Sequence, residues 1–163
     1  MIKIRHAKIK DIKDIAKIYN EAILKTNATF DTFEKTIDDM KKWFEGHGLK
    51  NPIIVAIENE KIVGFASLSK YDKKKAYSDT TELSLYVLSD FQGRGIGKKL
   101  MENILAEGKK VGVHAVIARV TKGNEISIKL HEEFAFKKIG TLKEVGKKFG
   151  KILDVHIYEK ILK

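Results

Sequence analysis

At 163 residues, with a formal charge of +10 and no cysteine, the chain is predicted to form one domain with a sizeable core; disulfides, thiolate catalysis and cysteine-ligated metals are excluded. The positive charge raises nucleic acid as a partner, but the lysines run along the whole chain, only Arg5, Arg94 and Arg119 are arginines, and aromatics do not alternate with basic residues, so the charge reads as solvated surface. No apolar run is long enough to span a membrane, the N-terminus lacks a signal-peptide core, and the scattered histidines lack zinc-ligand spacing; a cytoplasmic protein with neither membrane partner nor metal is expected.

In chain order, Ile2 to Arg5 reads as a short strand. Asp11 is placed to cap a helix whose apolar face is Ile12, Ile15, Ala16, Ile18 and Tyr19. Thr26 to Thr32 is polar and β-branched and reads as a loop. A second helix is predicted from about Glu34, with Ile37, Met40, Trp43 and Phe44 at helical spacing, stopping at Gly46-His47-Gly48. Ile53–Ile57 and Ile62–Leu68 flank a short charged link and predict a β-hairpin. After a charged loop from Lys70 to Asp79, a strand from Thr81 to Leu88 puts Leu83, Leu85 and Val87 on one face and Glu82, Ser84 and Tyr86 on the other. A helix from about Gly95 to Val111 buries Ile96, Leu100, Met101, Ile104 and Leu105; a strand from Val113 to Val120, a short helix opened by Asn124, and strands near Phe136–Leu142 and Ile152–Lys160 complete the chain. The order β-α-α-β-β-β-α-β-α-β-β predicts a mixed α/β sheet with helices on both faces.

Chemistry concentrates between Glu82 and Gly97, E-L-S-L-Y-V-L-S-D-F-Q-G-R-G-I-G. An apolar strand, a tight turn and a helix opened by glycines set free backbone N–H groups at the positive end of the helix, where an anionic phosphate is stabilised. A Walker A loop requires G-x-x-x-x-G-K-[ST] and a dinucleotide fingerprint requires G-x-G-x-x-G; the spacing here, G-x-G-x-G, fits neither. What remains, Gln92-Gly93-Arg94-Gly95-Ile96-Gly97 after a strand and before a helix, resembles the pyrophosphate-binding signature of the GCN5-related N-acetyltransferases. The blocks A-T-F-D (Ala28–Asp31), A-S-L-S (Ala66–Ser69), A-Y-x-x-T-x-E-x-S-x-Y-V (Ala76–Val87), S-I-x-L-H-E (Ser127–Glu132) and E-V-G-K-K-F-G (Glu144–Gly150) extend the resemblance over most of the chain. They narrow it to the phosphinothricin and methionine-sulfoximine acetyltransferases.

The resemblance implies a mostly antiparallel central sheet, acetyl-CoA as co-substrate, a small amino acid or analogue as acceptor, and a homodimer. It also implies roles for individual residues. Glu82 matches the proposed general base, which an α-ammonium requires before its nitrogen attacks a thioester. Leu85, Tyr86 and Val87 match the strand whose backbone meets the thioester and the pantetheine arm. Gln92 to Gly97, with Lys98, match the phosphate turn. Asn124 matches a contact to the coenzyme arm, although an Asn opening a helix also serves as a cap. His131 stands where many relatives have a Tyr near the departing sulfur, and a packed histidine is the equal alternative. On the acceptor side the blocks place Phe30, Tyr77, Glu82 and Ser84. Relatives grip the acceptor carboxylate with arginines in the loop aligned with Lys70–Lys75; here Lys73 and Lys74 are the expected substitutes. An acetyltransferase for protein N-termini or other small amines, and a non-catalytic module binding coenzyme A or nucleic acid, are the alternatives.

Overall fold

The computed structural model describes Met1–Lys163. Seven strands, β1 (Ile2–His6), β2 (Ile53–Glu58), β3 (Lys61–Lys70), β4 (Thr80–Val87), β5 (Ala115–Thr121), β6 (Lys137–Lys148) and β7 (Lys151–Ile161), form one sheet in the order β1-β2-β3-β4-β5-β7-β6. Every neighbouring pair is antiparallel except β4 and β5. Four helices, α1 (Ile12–Lys25), α2 (Ile37–Glu45), α3 (Ile96–Lys110) and α4 (Glu125–Glu133), cover both faces, as the element order predicts. None of them is long and apolar enough to cross a membrane.

The alternation along each strand divides the core in two. Leu83 on β4 and Val116, Ala118 and Val120 on β5 face α3, whose Ile96, Leu100, Met101 and Ile104 are fully enclosed. Truncating any of those α3 side chains to alanine costs about 2–5 kcal/mol. On the opposite face Ile12, Ile15 and Ile18 of α1 and Met40 of α2 pack on Ile53, Val55 and Phe65.

Three local features depart from expectation, and the predicted β2–β3 hairpin is borne out with its turn geometry added. Asp11 does not cap α1; its carboxylate reaches back to the Lys8 N–H (2.7 Å) and takes both guanidinium nitrogens of Arg5 (2.7 and 3.0 Å). The second helix begins at Ile37, not Glu34, because Thr36 and Asp39 form a reciprocal capping box there. The hairpin link between β2 and β3 is a two-residue turn with both Asn59 and Glu60 at positive φ, the primed geometry that matches strand twist. Finally, β6 runs to Lys148 through the E-V-G-K-K block, with register shifts at Lys138/Gly140 and Leu142/Gly146 that bend it.

Candidate active site

The parallel pair β4–β5 holds together only through Thr80↔Ala115, Thr81↔Val116 and Glu82↔Ile117. Beyond Glu82 the two strands part, and β4 continues to Val87 with β3 alone as its partner. The Leu88 N–H donates to the Val63 carbonyl at 2.9 Å. With a period of two, the N–H groups of Tyr86, Ser84 and Glu82 therefore also point to β3, while those of Leu85 and Val87 point into the fork. A groove of about 480 Å³ fills this fork, walled by Leu85 and Val87 on one arm, Arg119 and Thr121 on the other, and Gly93, Gly95 and Gly97 at its mouth.

At the mouth, the turn Ser89–Phe91 leads into Gln92 and the glycines. Gly93 (φ +76°) and Gly95 (φ +79°) occupy the left-handed region, where a Cβ is strained, and Gly95 is the N-cap of α3. The first intrahelical bond runs from the Lys99 N–H to the Gly95 carbonyl, so the N–H groups of Ile96, Gly97 and Lys98 have no helical acceptor. This open cradle at a helix N-terminus suits a phosphate. Side chains around it are committed elsewhere: Gln92 donates to the Val87 carbonyl (3.1 Å), Arg94 pairs with Glu58 (3.0 Å) over the Phe91 ring, and Lys98 pairs with Glu133 (2.7 Å). The unpaired donors at this turn are therefore backbone N–H groups.

Asn124 caps α4, its Oδ1 accepting from the Ser127 N–H at 3.3 Å, and the residue also lines the groove. His131, two helical turns further, is buried against Phe136 and Tyr158. Its Nδ1 lies 2.7 Å from the Ser127 carbonyl, and since a carbonyl only accepts, Nδ1 carries the proton. Burial, partly offset by that bond, holds the imidazole below the usual histidine range. The neutral tautomer favoured by burial leaves Nε2 bare, and the ring also lines the groove.

The α1/α2 face of the sheet carries further polar groups near the groove. A second cavity of about 390 Å³ is walled by Tyr19, Asp31, Lys35, Lys42, Trp43, Phe65, Ser84 and Tyr86, and meets the groove at Ser84 and Tyr86. Tyr19 hydrogen-bonds Thr29 Oγ1 (2.9 Å) and the Asp31 carboxylate; Lys148, reaching in from β6, donates to the Thr29 carbonyl at 2.8 Å. Burial foremost pushes the Tyr86 phenol up to about 12, so it stays protonated. Phe30 lies over Gly146, where an added Cβ would fall 2.0 Å from its ring, so glycine there allows β6 to close on the A-T-F-D loop. Glu82 stands at the apex of the fork. Its Oε2 is enclosed, lies 3.0 Å from Arg119 Nε, and receives no hydrogen bond from the protein.

On the acceptor side, five sequence expectations line neither cavity: Phe30, lying over Gly146; Glu82, in contact with Arg119 of the groove wall; and Lys73, Lys74 and Tyr77, which are exposed. Lys73 and Lys74 are exposed beside the Lys75–Tyr77 turn and line neither cavity, because their segment turns outward through the Asp72 carboxylate, which accepts the Lys74 N–H at 2.8 Å. Tyr77 is exposed too, edge-on to Tyr71. Conversely, Trp43, Phe65, Lys35 and Lys42 line the second cavity but read in sequence as core and solvated surface. No local signal separates a buried aromatic from one that walls a cavity.

Residues 13–136 match the model of the acetyltransferase (GNAT) family. The chain is 33% identical over 99% of its length to a phosphinothricin N-acetyltransferase of Streptomyces coelicolor, of which it covers 96%. It is 33% identical over 93% of its length to an L-methionine sulfoximine/L-methionine sulfone acetyltransferase of Salmonella typhimurium, covering 90% of that protein. Its backbone superposes on an acetyltransferase of Salmonella typhimurium solved with acetyl-CoA at a TM-score of 0.96 and 32% identity, covering 100% of this chain and 95% of that one. Forked sheet, glycine turn and full-length similarity agree: the chain belongs to the acetyltransferase (GNAT) family.

Proposed function

We propose that this protein transfers the acetyl group of acetyl-CoA to the α-amine of a small amino acid or analogue, of the phosphinothricin or methionine-sulfoximine type, by direct attack in a ternary complex. The observation that carries the proposal is the fork itself, where the open amides of Leu85 and Val87 lie between the glycine cradle and the half-buried Glu82, whose Oε2 is enclosed without a hydrogen bond. The groove residues fit the co-substrate: the Ile96–Lys98 amides take a diphosphate, and the β4 edge pairs with an amide-bearing arm as an added strand would. Acetyl-CoA supplies an acyl carbon activated by a thiol leaving group.

Glu82 takes the proton from the acceptor's ammonium, directly or through water, leaving the nitrogen lone pair to attack. The Leu85 or Val87 N–H holds the carbonyl oxygen as negative charge develops on it. The leaving group departs as a thiolate without help, since a thiol's pKa is about 8.5. Thiolate departure leaves no required acid role for His131, whose Nδ1 proton is held by the Ser127 carbonyl and whose ring packs α4 against β7 at the groove wall. Ser84, Tyr86 and the Trp43–Phe65 wall receive the acceptor's side chain. We also assign a homodimer to the β6–β7 hairpin, the sheet edge that exposes Ile139, Leu142, Val145, Phe149 and Ile152.

The test is thiol release from acetyl-CoA with phosphinothricin, methionine sulfoximine, methionine sulfone, free amino acids and short peptides. Turnover on the amino-acid analogues is the expected result. Turnover on peptides alone would transfer the assignment to protein N-termini.

A further inference from the structure

Arg119 is the one arginine whose partner has other work. Arg5 is clamped by Asp11 through two hydrogen bonds, and Arg94 is held by Glu58 above Phe91. Arg119 faces only Glu82, with Nε 3.0 Å from Oε2, and its side chain is 61% exposed. Strand geometry makes this pairing. Ile117 is the last β5 residue paired with β4, opposite Glu82, and Arg119 follows two residues later on the same face. Arg119 walls the groove together with Asn27, Ala28, Ser84 and Tyr86, while Glu82, the last β4 residue paired with β5, contacts Arg119 but does not itself line the groove.

We propose that Arg119 determines acceptor specificity by taking the acceptor's α-carboxylate, and that this exchange uncovers Glu82 for the α-ammonium. The inference rests on the acetyltransferase reading above and names the group by which this site selects its substrate. An α-amino acid carries both charges on one carbon, and the Glu82–Arg119 pair presents the opposite two charges 3.0 Å apart. A zwitterion enters this pair by exchanging partners: carboxylate onto the guanidinium fork, ammonium onto Glu82. Opening the existing pair costs little, because the guanidinium is exposed and Oε2 receives no aligned hydrogen bond from it. The new contacts are better, since a guanidinium meets both carboxylate oxygens at once and the ammonium supplies the donor that Oε2 lacks. A peptide N-terminus or simple amine has no carboxylate to hold Arg119 aside, so Glu82 stays covered. The site thereby selects free amino acids without a contribution from Lys73 or Lys74.

The experiment compares kcat/KM for a free amino acid with that for its own α-amide, in the wild type, Arg119→Gln and Arg119→Lys. The two amines differ in basicity, but that difference cancels when the acid-to-amide ratio is compared between proteins. Arg119→Gln is expected to lower the ratio by at least about tenfold, chiefly by raising KM for the acid, with Arg119→Lys retaining part of the preference because the charge remains without the fork. Acetyl-CoA titration and thermal melting establish that each variant is folded. An unchanged ratio in Arg119→Gln, or equal losses on acid and amide, overturns the inference while leaving the acetyltransferase reading intact. A wild type that acetylates amines but no free amino acid overturns the proposed acceptor class and this inference together.

Discussion

Placing a carboxylate in the phosphate cradle isolates the electrostatics of acetyl-CoA binding from the stability of the fold. Gly95 caps α3 at φ +79° and ψ 7°, and a Cβ built there meets no atom within 4 Å. Gly95→Asp therefore introduces no clash. It incurs about 1–2 kcal/mol of left-handed backbone strain, which Asp tolerates better than most residues, and recovers only a few tenths of that (about 0.3 kcal/mol) as a helix cap, because Gly already caps well. Net stability falls by about 1 kcal/mol, which lowers the melting temperature by only a few degrees (about 2–4 °C). Binding is another matter. A phosphate seated on the Ile96–Lys98 amides lies roughly 5 Å from the new carboxylate, and at an effective dielectric of about 20 each pair of like charges repels by about 3 kcal/mol. The carboxylate also competes for the same N–H groups. Calorimetric titration is thus expected to show at least about a hundredfold loss of acetyl-CoA affinity, with a melting temperature close to wild type. Gly95→Asn, of similar size and backbone demand but uncharged, loses much less. An aspartate variant that binds acetyl-CoA as well as wild type would refute the assignment of the glycine turn to the diphosphate.

Glu82→Gln keeps the shape of the fork but removes the proton acceptor; turnover is expected to fall by about 10²–10⁴-fold with little change in acetyl-CoA affinity, and undiminished turnover removes Glu82 from the chemistry. Burial, partly offset by backbone bonds, depresses His131 and His47, so just below about pH 6.5 the unfolded chain binds protons that the folded chain does not. Stability therefore falls on acidification through that window, visible as a melting temperature that drops between about pH 7.5 and pH 5.5, with a shallower drop in His131→Asn. Phe149→Glu, on the apolar sheet edge, is expected to shift light scattering from dimer to monomer without lowering the melting point of the monomer; an unchanged mass places the interface elsewhere.

Local order was well written in the sequence. The α3 stripe Ile96, Leu100, Met101, Ile104 and the alternation from Glu82 to Val87 are periodic patterns with a single reading, and they place the strand and helix on either side of the glycine turn correctly along the chain. The start of α2 was obscured because Thr36-Ile37-Asp38-Asp39 looks like the continuation of a polar loop until Thr36 and Asp39 are seen to satisfy each other's N–H groups. The length of β6 was hidden by glycines and lysines that disfavour strands individually and are tolerated because β7 supplies a partner almost throughout. Long-range placement was the real gap. Glu82 and Arg119 are 37 positions apart in numbering and meet only because β4 and β5 are parallel and part at that point, which no spacing rule encodes. Lys148 reaching the Thr29 carbonyl, and Phe30 lying on Gly146, belong to the same class.

The central claim is direct transfer from acetyl-CoA to an amine held at the fork, and a rapid-quench experiment with intact-mass detection tests it most directly. Protein is mixed with an equivalent of acetyl-CoA, first alone and then with the best amino-acid acceptor from the thiol-release panel. The account predicts that the acceptor gains the mass of one acetyl group while the protein, which has no cysteine to carry a thioester, never does. An acetylated protein that forms before acceptor is added and then passes the group on would contradict direct attack at the Glu82 fork.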